Sequence, residues 1–388
     1  MNKNKIIYID GLGLVDGHFS GIGQYILGIL KGMDELIEEQ INNGEVPTRI
    51  KVIIPYDEVR RFRKFAFKHI AYTRFPMPFR VMAALWHRGK MPPLDLFYKN
   101  GVFIFPRFVS MPLLHSKSIL TIYDISFELY RQYSDEGNAR FLSVSVKKSI
   151  DKASKIITIS KNAKKEILSF YKLPSTQVHV ATPATDPRLF YRRSENEIAR
   201  VKQKYGIESN YILALSNLEP RKNLGTLVEA YCALPEDIRK TTALLLVGVS
   251  GWKMDVLFKD IIKKVEEGYN IIRPSGYVSD EDKPAILSGA SILVYPSHYE
   301  GFGMPPLEAL ACGTPVITAN NSSLPEVVGD AGVMLDSDDT KGYTKAMETY
   351  LKTPDIARKA AGDGPSRARL FSWKESARVY LDTVKELE

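Results

Sequence analysis

Short runs of apolar residues alternate with amphipathic segments along the first half of the chain. Continuous runs of Ile, Val, Leu and Tyr are typical of strands buried in a parallel sheet, and apolar residues at helical spacing predict helices. The apolar runs predict strands over residues 5–10, 50–55, 102–105, 119–123 and 155–159. The amphipathic segments predict helices over residues 25–39, 141–153 and 162–170. This alternation indicates βαβ units in a doubly wound parallel sheet.

The same alternation begins again after a polar join, residues 182–193, which contains Pro183 and Pro187. It predicts strands over residues 211–215, 243–247, 271–273, 292–295 and 315–318, and helices over residues 224–232, 256–267, 282–288 and 306–311. We therefore predict an α/β protein with two Rossmann-like, doubly wound domains, residues 1–187 and 188–372, which bind a ligand in a central cleft. We expect a final helix, residues 373–388, to pack back on the first domain through Ala377, Tyr380, Leu381 and Val384.

The composition is that of a globular protein with a full core. The chain has 388 residues, of which 44% are apolar and 25% are charged, and these values exclude a disordered or fibrous chain. Two cysteines exclude a disulfide scaffold and a cysteine-rich zinc module, and they fit a reducing cytoplasm. No run of 18 apolar residues predicts a membrane span, and the first apolar run is too short for a signal peptide.

The net charge of +8 is unevenly distributed, because residues 60–94 contain no acidic residue. We call residues 60–90 the basic–aromatic stretch, because cations and aromatic rings are interleaved along it. The stretch fits either a solvated helical face over a satellite core or a surface that docks on anionic lipid headgroups. Nucleic acid fits least, because no binding-module signature accompanies the stretch. Its cations are Arg60, Arg61, Arg63, Lys64, Lys68, Arg74, Arg80, Arg88 and Lys90.

The most informative segment is the glycine-containing loop that follows the predicted strand 292–295. Gly301 and Gly303 allow a tight turn and expose backbone amides, and the prolines at 305 and 306 suit the first turn of a helix. The start of that helix favours a phosphate. Glu300 and Glu308, eight positions apart, flank this helix start and can hold two hydroxyl-bearing groups. The alternative is a generic strand–loop–helix unit with surface glutamates.

This segment resembles the Glu-x7-Glu signature of the family-4 retaining glycosyltransferases, with Glu300 and Glu308 as its ends. Further segments resemble motifs of that family in the same order, so the resemblance covers nearly the whole chain. It is greatest to the mannosyltransferase-like enzymes of bacterial surface polysaccharide assembly. The other matching segments are residues 20–25, 216–223, 246–252, 276–281, 324–327 and 329–332, and the second of them ends in Glu-Pro-Arg-Lys-Asn.

The resemblance implies the GT-B fold and a nucleotide diphosphate sugar, with a GDP-sugar favoured, as donor rather than any cofactor. It assigns the ribose hydroxyls to Glu308, a sugar hydroxyl to Glu300, and the diphosphate to Lys222 with Arg221. Backbone amides of Gly301, Phe302 and Gly303 would lie near the donor. The further donor-binding positions that it implies are Gly21, Gly23, Ser216, Asn217, Tyr277, Val278 and Met304. The acceptor would be a glycan or a polyprenyl-linked glycan. The resemblance implies a protein that is cytoplasmic or peripheral at the inner face of the membrane.

The chain departs from the family pattern in two places. Ser216 stands where many relatives have an arginine, so one phosphate contact is missing or replaced. Tyr123 and Asp124 stand where relatives often have a histidine–aspartate pair, and a tyrosine cannot carry positive charge. Asp124, among the candidate catalytic residues, either orients the sugar or acceptor or caps the following turn.

The sequence predicts no metal site. Asp336-Ser337-Asp338 has the spacing of a metal-binding motif of another glycosyltransferase fold, but it lies after residues 332–335, far along the chain from the glycine-containing loop, and a solvated turn is favoured. The six histidines show no metal-ligand spacing, and His298 is expected to be structural. The rival functions are a GT-B-fold sugar-nucleotide epimerase or hydrolase, and a non-catalytic basic protein bound to membranes.

Overall fold

The computed structural model describes residues 5–15, 21–87, 90–249, 251, 254–274 and 278–388. The chain forms two compact units, of which unit 1 comprises Met1–Pro183 with Ser372–Glu388 and unit 2 comprises Ala184–Phe371. The division after Pro183 falls within the polar join, close to the boundary that the sequence analysis placed after residue 187.

Unit 1 is built on a parallel sheet. Among its described residues, seven strands pair in the order β3-β2-β1-β4-β5-β6-β7, and each pairing is parallel. The strands are β1 (Ile6–Asp10), β2 (Ile50–Pro55), β3 (Ala71–Phe75), β4 (Gly101–Phe105), β5 (Ser118–Thr121), β6 (Lys155–Thr158) and β7 (Val178–Val180). The helices are α1 (Leu12–Val15), α2 (Gly21–Asn42), α3 (Val59–Phe62), α4 (Phe79–His87), α5 (Ser126–Leu129), α6 (Glu136–Ile150) and α7 (Lys161–Tyr171).

Unit 2 repeats this architecture. In its described part six parallel strands pair in the order β10-β9-β8-β11-β12-β13. The strands are β8 (Asn210–Leu215), β9 (Thr242–Val247), β10 (Ile271–Ile272), β11 (Ile292–Tyr295), β12 (Val316–Ala319) and β13 (Val333–Leu335). The helices are α8 (Glu195–Lys204), α9 (Leu224–Cys232), α10 (Glu236–Thr241), α11 (Asp255–Glu266), α12 (Lys283–Gly289), α13 (Met304–Ala311), α14 (Leu324–Val328), α15 (Thr340–Lys352) and α16 (Pro354–Ala368). The expectation of two doubly wound, Rossmann-like sheets is therefore confirmed.

The last helix, α17 (Trp373–Lys385), belongs to unit 1 and packs along α2. Two glycines of α2 allow this close approach. A Cβ atom at Gly28 would lie 2.4 Å from the Trp373 ring, and one at Gly32 would lie 2.4 Å from the Trp373 carbonyl oxygen. Further along α17, the buried hydroxyls of Tyr380 and Thr121 are 2.7 Å apart, which ties the helix to the end of β5. The helix α17 is thus part of the core of unit 1.

The pattern of apolar runs did not predict β3, β7, β13 or the helices α8, α15 and α16. The reading of the basic–aromatic stretch as one helical face was also wrong, because the stretch contains α3, β3 and α4. The reason lies in the position of β3 at the sheet edge, where only Phe75 of its five residues is fully buried. A strand that is half exposed carries no continuous apolar run. No helix among the described residues is long and apolar enough to cross a membrane.

Candidate functional site

The carboxyl ends of β8 and β11 hold most of the residues that the sequence analysis singled out in unit 2. These strands are neighbours, and the strand order reverses between them. In open parallel sheets, ligands bind at the carboxyl ends of the strands where the order reverses. Residues 216–223 follow β8 and residues 296–303 follow β11, so both loops lie at this point.

The loop after β8 runs alongside the end of β9 and is hydrogen-bonded to it. The Ser216 amide donates to the Val247 carbonyl at 3.0 Å, and the Leu218 amide donates to the Val249 carbonyl at 2.9 Å. Gly248 makes this possible, because a Cβ atom there would lie 1.7 Å from the Ser216 carbonyl oxygen. The loop is therefore fixed by backbone contacts before it reaches Arg221 and Lys222.

A short 3-10 turn, Pro220–Lys222, then presents two cations in succession. The turn ends at Asn223, which takes a left-handed conformation with φ of 52°. The Asn223 side chain donates to the Ser337 carbonyl at 2.7 Å and so anchors the turn to the segment after β13. A non-glycine residue with positive φ that is also hydrogen-bonded marks a conformation held by its surroundings.

Lys222 and Glu300 form a buried ion pair that joins the two loops. The Lys222 Nζ lies 2.6 Å from Glu300 Oε1, and each side chain is 9% exposed. Arg221 contacts the other carboxylate oxygen, with Nη1 3.2 Å from Glu300 Oε2. Because an isolated charge is costly to bury, the lysine and the glutamate depend on each other for their positions.

Arg221 is also held from its other side. Its Nε and Nη2 donate to Glu219 Oε1 at 3.1 and 2.7 Å, and its Nη1 donates to the Tyr299 carbonyl at 2.7 Å. Several of the five N–H donors of the guanidinium therefore form hydrogen bonds within the protein. In this arrangement Arg221 links Glu219 to Glu300, in addition to the phosphate contact that the resemblance assigns to it.

Burial and the neighbouring charges shift the pKa values of Glu300 and Lys222. Burial alone would raise the pKa of Glu300, but the Lys222 and Arg221 charges lower that pKa to about 2. Burial lowers the pKa of Lys222, and Arg221 adds to this effect while Glu300 opposes it. With an opposite charge at 2.6 Å, we assign the ionised form to both groups at neutral pH.

The loop after β11 ends where α13 begins. Gly303 precedes the helix with φ of 119°, which favours glycine, and prolines occupy the first turn. Because prolines carry no N–H, few of the usual unpaired donors remain at this helix start, and the Met304 amide is one of them. Met304 is the first residue of α13, and Gly303 is the N-cap residue of this helix.

Two serines after β12 hold this loop in place. The Glu300 amide donates to Ser322 Oγ at 3.0 Å. Ser323 Oγ lies 2.8 Å from the Glu300 carbonyl oxygen and 2.6 Å from the Phe302 carbonyl oxygen, and its single hydroxyl hydrogen is shared between them. The backbone on either side of Gly301 is thus bonded to side chains and does not depend on a ligand for its conformation.

Glu308 lies within α13 and is 5% exposed. Burial raises the pKa of Glu308 to about 7; the Lys283 charge opposes this rise, and the Asp280 charge adds to it. The predicted alternative of a surface glutamate is wrong for both Glu300 and Glu308, since both are buried.

The remaining predicted donor positions of unit 2 differ in exposure. Val278 is buried, Ser216 is half-buried and Asn217 is exposed. Tyr277 lies outside the described residues. Asp336 and Asp338 lie in a turn in which the Asp338 amide donates to Asp336 Oδ1 at 3.0 Å. Among the residues that the structure describes, no group of three or more His, Cys, Asp or Glu is arranged to hold a metal ion.

Gly21, Gly23 and Asp124 belong to unit 1. Gly21 and Gly23 lie in the first turn of α2, and residues 16–20, which precede them, lie outside the described residues. Asp124 Oδ1 accepts from the Ser126 amide at 2.9 Å and so caps the turn that opens α5. Tyr123 is buried, and its hydroxyl donates to the Pro106 carbonyl at 2.8 Å, so that it acts within the core.

Sequence reasoning assigned no function to Glu219, Tyr295, Ser322 or Ser323. Glu219 belongs to the Glu-Pro-Arg-Lys-Asn segment, so its motif was visible although its contact with Arg221 was not. Tyr295 ends a predicted strand at the functional edge of the sheet, which was the available signal. The two serines gave no signal, because a hydroxyl that supports a backbone loop has no fixed sequence spacing.

Comparisons with known proteins identify the family of the chain. The family model "Glycosyl transferases group 1" matches residues 196–367, which contain the whole cluster. The chain is 35% identical over 291 residues to O-antigen chain mannosyltransferase B of Escherichia coli, covering 75% of each protein. It is 27% identical over 277 residues to the serotype-specific mannosyltransferase WbdA of Escherichia coli, covering 70% of this chain and 34% of that protein.

The fold is similar to that of solved structures at low sequence identity. The crystal structure of Anabaena Alr3699/HepE in complex with UDP and glucose aligns with a TM-score of 0.71 and 16% identity. The alignment covers 98% of this chain and 99% of that one. The family match, the 35% identity to a mannosyltransferase over three quarters of each chain, and the similar fold agree with one another. The chain therefore belongs to the group 1 glycosyl transferases, as a mannosyltransferase-like polysaccharide enzyme with the GT-B fold.

Proposed function

We propose that the protein transfers a hexose, with mannose favoured, from a nucleotide diphosphate sugar to a glycan or polyprenyl-linked acceptor. The observation that carries the proposal is the Lys222–Glu300 pair at the strand-order reversal of unit 2. The resemblance assigns the leaving diphosphate to this lysine. The 35% identity to an O-antigen mannosyltransferase supports mannose and, with it, a GDP-sugar.

The chemistry follows from where charge develops. As the anomeric bond breaks, the diphosphate becomes more negative, and a fixed cation then stabilises the transition state more than the ground state. Lys222 is such a cation, because Glu300 holds it in a site with little solvent. Glu300 would also accept a hydrogen bond from a sugar hydroxyl, and Glu308 would accept hydrogen bonds from the ribose hydroxyls.

We propose that the reaction retains the anomeric configuration and needs no metal ion. The groups available for the diphosphate are Lys222, Arg221 and backbone amides near Gly303, which supply positive charge and donors without an ion. Retention rests on the resemblance to a retaining family. Asp124 in unit 1 remains a candidate for orienting the sugar or acceptor through its second carboxylate oxygen.

We also propose that the protein associates with anionic membranes through unit 1. Arg60, Lys64, Arg74 and Arg80 are exposed in the basic–aromatic stretch. The helix α6 adds Phe141 and Val144, which are exposed large apolar side chains. Both α4 and α6 pack on one hydrophobic cluster through Met82, Val146 and their neighbours, so they share a face of the sheet. Cations interleaved with exposed apolar groups are typical of interfacial binding.

The first experiment tests the reaction itself. Purified protein is incubated in EDTA with GDP-, UDP- or dTDP-hexoses, with and without a polyprenyl-linked mannose acceptor. We expect transfer that depends on the acceptor and is fastest with GDP-mannose, and proton NMR of the product should show retention at the anomeric carbon. Conversion of donor without acceptor would indicate the epimerase or hydrolase, and inversion or a metal requirement would contradict the proposal.

The second experiment tests Glu308 through pH. An ionised carboxylate accepts hydrogen bonds from two hydroxyls, whereas the protonated form loses part of this capacity. With the pKa of Glu308 raised to about 7, its carboxylate forms between pH 6 and pH 8. We expect the ratio of donor KM in Glu308→Gln to that of the natural protein to grow by about tenfold over this range. A constant ratio would show that Glu308 does not bind donor as a carboxylate.

The third experiment tests the membrane surface. A triple variant with Arg60, Lys64 and Arg80 changed to Gln should partition onto phosphatidylglycerol vesicles on the order of a hundredfold more weakly, since each cation contributes about 1 kcal/mol. The matched control changes three exposed lysines of unit 2, Lys240, Lys263 and Lys359, to Gln. Equal vesicle binding by the two variants would exclude the basic–aromatic stretch as the docking surface.

A further inference from the structure

Tyr295, the last residue of β11, places its hydroxyl against Lys222. The Lys222 Nζ lies 2.9 Å from the Tyr295 hydroxyl oxygen and 5.2 Å from the centre of its ring. The tyrosine is buried at the carboxyl end of the strand, so its hydroxyl has a fixed position. Lys222 therefore has two fixed acceptors, Tyr295 and Glu300, which come from the end of one strand and from the loop after it.

An ammonium group at the end of a four-carbon side chain is not positioned by one ion pair. It has three N–H donors and can rotate and move about a single partner. Two fixed acceptors define the position of Nζ and leave its third N–H direction for a ligand. Reacting groups held in place before the reaction contribute strongly to rate, and a small displacement is costly.

Two other buried tyrosines of unit 2, Tyr211 and Tyr231, use their hydroxyls differently. Tyr211 donates to the Ile286 carbonyl at 2.7 Å, and Tyr231 donates to the Thr242 carbonyl at 3.0 Å. Those hydroxyls satisfy backbone acceptors in the core, as buried phenols usually do. The Tyr295 hydroxyl instead accepts from a cation. This contrast separates Tyr295 from tyrosines that only fill the core.

We propose that Tyr295 is a positioning residue, which holds the Lys222 ammonium beside Glu300 so that the leaving diphosphate of the donor meets a charge that is already oriented. The inference rests on the proposed function, in which Lys222 is the cation that stabilises the leaving diphosphate. Tyr295 does not touch the reacting atoms in this account. It acts through Lys222 and through Glu300, with which its hydroxyl also forms a hydrogen bond.

The test compares Tyr295→Phe with Tyr211→Phe. Both changes remove one buried phenol hydroxyl from the sheet of unit 2 and keep the ring, but only the first removes an acceptor from Lys222. For Tyr295→Phe we expect kcat to fall by about tenfold or more, with donor KM changed by less than about threefold. Tyr211→Phe should keep the kcat of the natural protein. A kcat for Tyr295→Phe equal to that of the control would overturn the proposal.

A pH titration adds a readout that packing alone would not move. The charged or titratable groups that face Lys222 are Glu300, Arg221 and Glu219 from the two loops, together with Tyr295 from β11. A hydrogen bond to the charged form favours that form, so removing the Tyr295 hydroxyl should lower the pKa of Lys222. Activity needs the protonated lysine, and the alkaline limb of the kcat profile should therefore move to lower pH in Tyr295→Phe alone.

The same titration can be followed without turnover, by NMR of labelled lysine side chains in the ligand-free protein. The Lys222 signal is assigned by its absence in Lys222→Met. A lower Lys222 pKa in Tyr295→Phe, with no change in Tyr211→Phe, supports the positioning contact even if the protein turns over no donor. The absence of turnover would contradict only the proposed function. An unchanged Lys222 titration would overturn the inference whatever the activity.

Discussion

The site depends on one buried ion pair, Lys222 with Glu300. Removing two charges from water is costly, and this cost is offset only when each charge has its partner and further hydrogen bonds. The pair meets that requirement through Arg221 and Tyr295, which supply a second contact to the glutamate and to the lysine respectively. Since the two charges come from the loops after β8 and β11, the pair also fixes how those loops meet.

The fold was largely predictable because its strands are buried on both faces. The strand β11 is an unbroken apolar run and β2 is interrupted only by Lys51, and the sequence pattern identified both with the bounds that the structure shows. The edge strand β3 was missed because it is half exposed and lies in a stretch dominated by cations. The helix α15 was missed because its buried residues, Tyr343, Met347 and Tyr350, are separated by polar and partly exposed positions and form no apolar run.

The candidate site was predictable in its residue types but not in its contacts. Glycine and proline spacing around Gly303 fixes a loop and a helix start locally, so the sequence alone predicted them. The direct pairing of Lys222 with Glu300 joins residues that are 78 positions apart, and no local pattern encodes such a contact. For the same reason the anchoring of Arg221 by Glu219 and the loop support by Ser323 became visible only in the folded chain.

The most direct test of the account is a double-mutant cycle on the ion pair, with Lys222→Met, Glu300→Gln and both changes together. We expect Glu300→Gln to lose about 3–5 kcal/mol of unfolding free energy, because it leaves the buried Lys222 charge without its carboxylate partner. The loss in Lys222→Met should be smaller, because Glu300 keeps its contact with Arg221. The double variant should recover most of that stability, yet its turnover should stay on the order of a hundredfold to a thousandfold below that of the natural protein. Additive losses of stability, or recovered turnover in the double variant, would contradict the central place given to this pair.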